Sequence, residues 1–242
     1  MRLLQIILLV GGVAAPPTAF AGEPFEGNLV LLPPGCQHTP KHICRLGEPL
    51  RYRSPDGKTV WQADKWEDGN LESGLTNGAS IPIWAQPIIG KPYDESYLKA
   101  AVIHDHYCYE ENRVRSWRDT HRMFYDALID LNLNKTKAKI MYYAVYWGGP
   151  KWVKLAPGQN CGPGCINNVQ PSGMRWEGDQ FGTTDFRKEL EDVRMLVEAN
   201  PDIDIDALEA RAEERKPGDF FFVHGDSYTP TGPNDPNILP RM

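Results

Sequence analysis

The sequence predicts an α+β protein, in which a β-hairpin-rich N-terminal part packs on a three-helix core and a C-terminal helical extension follows. Three observations support this prediction. Residues 22–93 are rich in turns and short apolar runs, residues 94–150 contain three helical patterns, and the composition becomes loop-rich after Pro157. We expect three units, with bounds at 1–21, 22–157 and 158–242.

The first unit has the pattern of a secretory signal peptide. Arg2 gives a basic start, Leu3 to Ala15 are apolar, and Ala19-Phe20-Ala21 fits the small-x-small cleavage rule. The apolar run is interrupted by Pro16-Pro17 and is shorter than the about 20 residues that cross a bilayer. We therefore expect an exported protein, periplasmic or extracellular, with no transmembrane segment in the mature chain; an uncleaved anchor is the alternative.

Charge and cysteine content narrow the partners and the chemistry. The formal net charge of −6 argues against a general nucleic-acid binder, which needs a basic surface. Export permits disulfides, and the simplest pairing is Cys36–Cys44 and Cys161–Cys165, with Cys108 left free. Cross-pairings stay open. A zinc site that adds His38 and His42 to the first pair is the alternative.

The N-terminal part contains one strong hairpin signal. Leu50–Arg53 and Thr59–Gln62 flank Ser54-Pro55-Asp56-Gly57-Lys58, a turn sequence. Asn28–Leu32 is a further short apolar run. The segment Thr76-Asn77-Gly78-Ala79-Ser80-Ile81-Pro82 is irregular, and its small residues allow the backbone to approach another part of the molecule closely.

Three helices are predicted next. The first begins after Asp94, a favourable N-cap, and extends to about Glu111. The second opens at Ser116, with Asp119 placed as in a capping box. The third begins near Asn134 and ends before Gly148-Gly149-Pro150. The predicted inward face of the second helix consists of Trp117, His121, Phe124, Leu128 and Leu131.

The C-terminal extension combines loops with two helices. Gly158 to Gly182 is loop-rich, Asp185 to Asn200 is an amphipathic helix, and Asp206 to Lys216 is a short, charged one. The tail from Pro230 to Met242 is rich in Pro and Asn, and we expect it to be mobile.

The candidate site lies on the first two helices of the core. His104 and Asp105 stand inside the apolar run Ala100–Tyr109, where a polar group without partners costs roughly 2–7 kcal/mol. Cys108 lies one turn from His104, and His121 takes a core-facing position on the next helix. We expect His104, Asp105 and His121 to converge, with the two imidazoles within hydrogen-bond or one-water reach. His106 points away from His104 and is expected at the surface or in a supporting position.

Three ordered motifs in this part of the chain resemble a known family. They are Thr76–Pro82, the His104-Asp105 helix with Tyr109, and Ser116–Phe124. Together they are similar to the bacterial and phage proteins called domain of unknown function 1353, over about residues 48–150. Two departures stand out, since His121 occupies a position where the family usually has Asp, and Trp117 one where it has Arg. This resemblance implies a fold neighbourhood and no activity.

A weaker likeness is to phospholipases A2, which carry a His-Asp pair on one helix and an Asp on the next. It implies that His104 is a base activating water, Asp105 a calcium ligand and His121 the orienting group. A neutral imidazole stabilises an imidazolium less well than a carboxylate does. An alternative is that His104, Asp105 and His121 form an N,N,O set for zinc or another transition metal. The sequence leaves the cofactor undetermined, with calcium and zinc as the candidates.

These observations lead to an expected function and a rival. We expect an exported hydrolase with a catalytic set of His104, Asp105 and His121, acting on lipid ester or cell-wall material. The rival is a non-catalytic envelope or phage-derived structural protein, in which the same side chains form a satisfied hydrogen-bond network. A catalytic site must open to a pocket, whereas a structural network should be sealed. The sequence leaves the substrate and the oligomeric state open.

Overall fold

The computed structural model describes residues 23–32, 43–68, 74–154 and 174–224. The predicted signal peptide, the C-terminal tail and Cys36, Cys161 and Cys165 lie outside these ranges. The strands are β1 (Phe25–Glu26), β2 (Cys44–Arg45), β3 (Leu50–Arg53), β4 (Val60–Ala63), β5 (Leu75–Thr76), β6 (Lys151–Lys154) and β7 (Met174–Glu177). The α-helices are α1 (Gln86–Ile89), α2 (Glu95–Cys108), α3 (Trp117–Asp130), α4 (Lys135–Gly148), α5 (Thr184–Ala199), α6 (Ile205–Arg215) and α7 (Phe220–Val223).

The predicted hairpin is confirmed. Strands β3 and β4 pair antiparallel, with Leu50 opposite Ala63 and Tyr52 opposite Trp61, and β1 adds to the other edge of β3. These four side chains are buried, because alternate residues of a strand point to the same face. The second small sheet pairs β2 with β5, and the segment from Thr76 to Pro82 continues from its edge. The hairpin thereby forms one wall of the core.

Three predicted helix starts are confirmed by their caps. The side chains of Asp94, Ser116 and Asn134 accept hydrogen bonds from the backbone N–H groups in the first turns of α2, α3 and α4. Helix α2 ends at Cys108 rather than near Glu111, because Tyr109 adopts an extended backbone conformation. A 3₁₀ turn follows at Glu110–Asn112.

Helix α3 packs between α2 and α4, as the predicted stripe requires. Of the five stripe residues, Trp117, His121, Phe124 and Leu128 are buried, and Leu131 is partly buried directly after the helix. Helix α2 is buried on most of its surface, with nine of its fourteen residues in the interior. His106 therefore lies in the interior with 5% exposure, and the expectation of a surface position is wrong.

The C-terminal helices extend the same core. The amphipathic helix predicted from Asp185 to Asn200 is α5. Its apolar face is buried against α4 and consists of Phe186, Leu190, Val193 and Val197. Helix α6 also packs on α4. The antiparallel pair β6–β7 was not predicted, since two four-residue strands separated by a long loop leave little periodic signal. The mixture of helices with small antiparallel sheets confirms the α+β class, while the unit boundary after residue 157 stays a prediction.

None of the helices in the described ranges combines the length and apolar character that a membrane crossing requires. Cys108 is a free thiol, in agreement with the predicted pairing. Each of the two proposed disulfides involves a cysteine outside the described residues, so both stay predictions.

Candidate functional site

His104 and His121 form a direct hydrogen bond across the α2–α3 interface. Their Nε2 and Nδ1 atoms lie 2.8 Å apart, and both side chains are buried. This distance confirms the expectation that helical periodicity brings the two imidazoles together. The other nitrogen of His121, Nε2, lies 3.1 Å from the carbonyl oxygen of Pro150, which follows α4. The pair is thus fixed from three parts of the chain.

The direction of these bonds follows from the acceptor at their end. A carbonyl oxygen only accepts, so His121 Nε2 carries a proton and donates it to Pro150. Burial, the neighbouring His104 and the Lys151 ammonium lower the pKa of His121 well below its ordinary value, so this ring is neutral. Its Nδ1 then accepts from His104 Nε2. Because burial lowers the pKa of His104 to about 3, His104 is neutral as well, and its Nδ1 is left with a lone pair.

Asp105 joins helix α2 to the irregular Thr76–Pro82 segment. Its Oδ2 accepts hydrogen bonds from Thr76 Oγ1 at 2.6 Å and from the Asn77 backbone N–H at 3.2 Å. Asp105 Oδ1 has no hydrogen-bond partner in the described part of the chain, and the residue is only partly buried. The small residues of the segment allow this close backbone approach, as the sequence predicted.

The segment itself is held in an unusual conformation. Gly78 has a φ of +74°, and a Cβ there would lie 2.4 Å from the carbonyl oxygen of Pro92. Ser80, which is not a glycine, has a φ of +42° and donates from Oγ to Asn77 Oδ1 at 2.7 Å. Strained residues of this kind often cluster at ligand sites. Here they place Asn77 and Ser80 along the rim of a pocket.

His104 and Asp105 open onto that pocket, which has a volume of about 200 Å³. Its polar lining also includes Cys108 and Asp179, and its apolar lining includes Phe124. The His104 and Phe124 rings lie 4.8 Å apart between centroids. The cluster is therefore not sealed, which is the condition that separates a site from a structural network. His121 lies behind His104 and does not line the pocket.

Burial shifts the pKa values of His104 and Asp105 in opposite directions. It favours the neutral form of each, which lowers the pKa of His104 to about 3 and raises the pKa of Asp105 to about 7. The hydrogen bonds from Thr76 and Asn77 lower the pKa of Asp105 and offset part of that rise. Between these two values the pocket holds an unprotonated imidazole beside a protonated carboxyl. Such opposed pairs are the usual arrangement of a general base and a general acid.

Cys108 contacts the His104 imidazole without donating a hydrogen bond to its Nδ1 lone pair. The sulfur lies 3.8 Å from Nδ1 and 3.7 Å from Nε2 of His104. These nearly equal distances to both nitrogens place the sulfur off the direction in which either nitrogen would accept a hydrogen bond in the ring plane. Burial, and then the Asp105 charge, raise the pKa of the thiol well above its ordinary value. Cys108 is thus a neutral wall of the pocket.

Two pocket residues escaped the sequence reasoning. Asp179 and Phe181 follow β7 in a loop-rich stretch without any periodic pattern, and only the β6–β7 pairing brings them beside His104. Pro150 was recognised as a helix stop, although its carbonyl also orients His121.

A metal role for His104, Asp105 and His121 gains no support. Within the described ranges, no group of three His, Cys, Asp or Glu side chains is arranged to hold a metal ion. The two facing imidazole nitrogens are hydrogen-bonded to each other, which leaves no space for an ion between them. The role of His104, Asp105 and His121 as metal ligands stays a prediction.

Comparisons with known proteins locate this site within a family. Residues 44–145 match the family described as protein of unknown function DUF1353. These 102 of the 242 residues, called the DUF1353 region below, are about two-fifths of the chain. This region contains β2 to β5 and helices α2 and α3, hence all three predicted site residues, and it confirms the resemblance carried by the three motifs. Pro150 and Asp179 lie beyond its end.

Two proteins of Sinorhizobium fredii (strain NBRC 101917 / NGR234) are similar to the chain. Uncharacterized protein y4iH is 45% identical over 113 residues, which are 47% of this chain and 43% of that protein. Uncharacterized protein y4jT is 37% identical over 155 residues, which are 62% of this chain and 42% of that protein. The matches thus span about two-fifths of the length of these relatives. No solved structure matches the chain.

Proposed function

We propose that the protein is a hydrolase whose DUF1353 region cleaves a carbonyl ester or amide by general acid–base catalysis. The observation that carries this proposal is one pocket lined by both His104 and Asp105, whose pKa values are moved to about 3 and about 7. A general base must be unprotonated and a general acid protonated at the working pH. In mildly acidic solution, His104 is ready to accept a proton and Asp105 to donate one.

The two groups divide the reaction between them. Nδ1 of His104 takes a proton from a water molecule, and the water oxygen attacks the carbonyl carbon. The carboxyl of Asp105 then protonates the leaving alcohol or amine as the bond to the carbonyl carbon breaks. Water returns the proton from His104 to Asp105 after the acid product has left. His121 acts through His104: its Nδ1 accepts a hydrogen bond from the Nε2–H of His104, which keeps that proton on Nε2 and the lone pair on Nδ1.

The substrate class follows from the charges of the pocket. Asp179 lines it, and no Lys or Arg is among the lining residues that the structure describes, so an uncharged carbonyl group is favoured over an anion. Lipid esters and cell-wall material both offer such groups. Their location agrees with the signal-peptide pattern of residues 1–21, which supports an exported hydrolase.

The proposal is tested with two esters that differ in their leaving groups. p-Nitrophenolate leaves without protonation, whereas the alkoxide of an ethyl ester needs an acid. We expect His104→Ala to abolish hydrolysis of both p-nitrophenyl acetate and ethyl acetate while the protein stays folded. Asp105→Asn should reduce turnover of the ethyl ester by about 10²–10⁴-fold and that of the p-nitrophenyl ester far less.

The pH profile provides a second readout. For the wild type, kcat/KM should follow a bell whose limbs reflect the pKa of His104 at about 3 and of Asp105 at about 7. Turnover by His104→Ala equal to that of the folded wild type would remove the base from the mechanism and the proposal with it.

A structural role is the second candidate, and one observation favours it. Asp105 ties α2 to the Thr76–Asn77 backbone, which is a link that a scaffold would need. Under this alternative, Asp105→Asn would lower the free energy of unfolding by about 1–3 kcal/mol, and no hydrolysis would be lost. Because these bonds are perturbed under both candidates, the hydrolysis readout separates them: Asp105→Asn loses ethyl ester turnover only if Asp105 is catalytic.

A further inference from the structure

An apolar slot adjoins the pocket of His104 and Asp105. It lies between the Ile81–Ala85 segment on one side and helices α4 and α5 on the other. Its lining is apolar except for Ser80, whose hydroxyl is already bonded to Asn77. A slot without available hydrogen-bond partners favours an apolar occupant over water.

The slot and the pocket share a wall. Ala79, Phe124, Val145 and Phe181 line both, together with Ser80. Phe124 contacts the His104 imidazole on one side and lines the slot on the other. Asp105, in contrast, is held at Thr76 and Asn77, neither of which lines the slot. A carbonyl carbon attacked beside His104 can therefore extend one substituent past Phe124 while the leaving group stays beside Asp105.

The size of the slot limits that substituent. Its volume is about 30 Å³, and one water molecule needs roughly 10–15 Å³ of such space. Two or three carbon atoms fill it. Phe186 and Leu190 of α5 line it together with Ala144 and Met141 of α4, and these side chains are buried in the core. The further carbon atoms of a long fatty chain would have to displace these side chains or extend out of the slot into solvent, where they gain no binding energy.

We propose that the slot is an acyl subsite, which binds the short aliphatic chain of the substrate's acyl group, with about four carbons including the carbonyl. The placement of the carbonyl rests on the proposed function. Among the substrate classes considered, this subsite favours short acyl esters and amides over long-chain lipid esters.

Binding of a series of uncharged amides tests the subsite without any need for catalysis. Acetamide, butyramide, hexanamide and octanamide are titrated into the ¹⁵N-labelled protein, and dissociation constants are taken from chemical-shift changes. Each buried methylene should strengthen binding about fourfold. Butyramide should thus bind about fifteenfold more tightly than acetamide, with no further gain for hexanamide or octanamide.

Variants of two lining residues change the size of the slot in opposite directions. Ala144→Leu fills it and should abolish the advantage of butyramide, whereas the matched control Ala144→Ser keeps it. Met141→Ala enlarges the slot and should move the limit from butyramide to hexanamide. Thermal melts confirm that each variant is folded, and the Met141→Ala result still decides the question if Ala144→Leu does not fold.

The outcomes separate this inference from the proposed function. Equal affinities of acetamide and butyramide for the wild type, or a gain that continues to octanamide, would overturn the acyl subsite. Chain-length-dependent binding by a protein that hydrolyses no ester would support the subsite and remove the catalytic proposal. Hydrolysis of acetyl and octanoyl esters at the same rate would support the catalytic proposal and remove the acyl subsite.

Discussion

Two substitutions at His121 separate the two hydrogen bonds of its ring. Asparagine places its Oδ1 near the position of Nδ1, so His121→Asn keeps an acceptor for the Nε2–H of His104 and loses the donor to Pro150. Glutamine places its amide near the position of Nε2, so His121→Gln keeps the donor to Pro150 and loses the acceptor. The parent bonds are 2.8 and 3.1 Å long, and His121 is fully buried.

The expected cost in stability is the same for both variants. Each leaves one buried polar group without its partner, which costs about 1–3 kcal/mol of the free energy of unfolding. The effects on catalysis differ. In His121→Gln the proton of His104 is no longer held on Nε2, and when it moves to Nδ1 the lone pair is lost from the pocket. That loss should remove the general-base contribution of about 10²–10⁴-fold.

The assay is kcat/KM for p-nitrophenyl acetate, measured beside urea denaturation of the same samples. We expect His121→Asn to stay within about tenfold of the wild type, and His121→Gln to fall at least 10²-fold. The two denaturation midpoints should be similar. Equal activities of the two variants would refute the reasoning, because the direction of the His104–His121 bond would then have no catalytic consequence.

Three further predictions follow from contacts around the site. Thr76→Val removes the 2.6 Å hydrogen bond that stabilises the Asp105 carboxylate, which should raise the pKa of Asp105. The alkaline limb of the pH–rate profile lies near that pKa of about 7, so it should move upward by about one to two pH units. His106 is buried, and burial lowers its pKa to about 4, so below about pH 6.5 its imidazole binds a proton in the unfolded chain but not in the folded chain. The free energy of unfolding of the wild type should therefore fall by about 2 kcal/mol between about pH 6.5 and 5 because of this group. Urea denaturation of His106→Asn over the same pH range should lack that part of the fall. Cys108→Ala should keep most of the esterase activity, because the sulfur is not in line with a lone pair of His104. In the wild type, the thiol should react slowly with iodoacetamide at neutral pH because its pKa is raised.

The local elements were predictable because their signals are local. A helix start needs only a capping side chain and the three residues after it, so Asp94, Ser116 and Asn134 marked α2, α3 and α4 correctly. The turn from Ser54 to Lys58 likewise carries its own backbone requirements. The end of α2 was placed a few residues too late, since an extended residue such as Tyr109 leaves no clear mark in the sequence.

The pairing of His104 with His121 was predictable for a similar reason. Two helices joined by a short link must pack side by side, and a polar residue on each packed face has to find a partner. The same argument failed for His106, because α2 is surrounded by protein on nearly every side and leaves no solvent-facing stripe. The position of a helix in the core depends on what covers it, and those covering residues lie far away in the sequence.

The sequence by itself determined the five longer helices α2 to α6, the hairpin, the α+β class and the meeting of His104 with His121, since each depends on residues close together in the chain. The four-residue helices α1 and α7 are too short to give a periodic signal and were not predicted. Only the tertiary structure decided that Asp105 is tied to the Thr76–Asn77 backbone and that Asp179 reaches the pocket. It also decided that the pKa of His104 is lowered while the pKa of Asp105 is raised. Burial sets both shifts, and burial is a property of the packed molecule, to which Pro150, Asp179 and Phe181 contribute from beyond the end of the DUF1353 region.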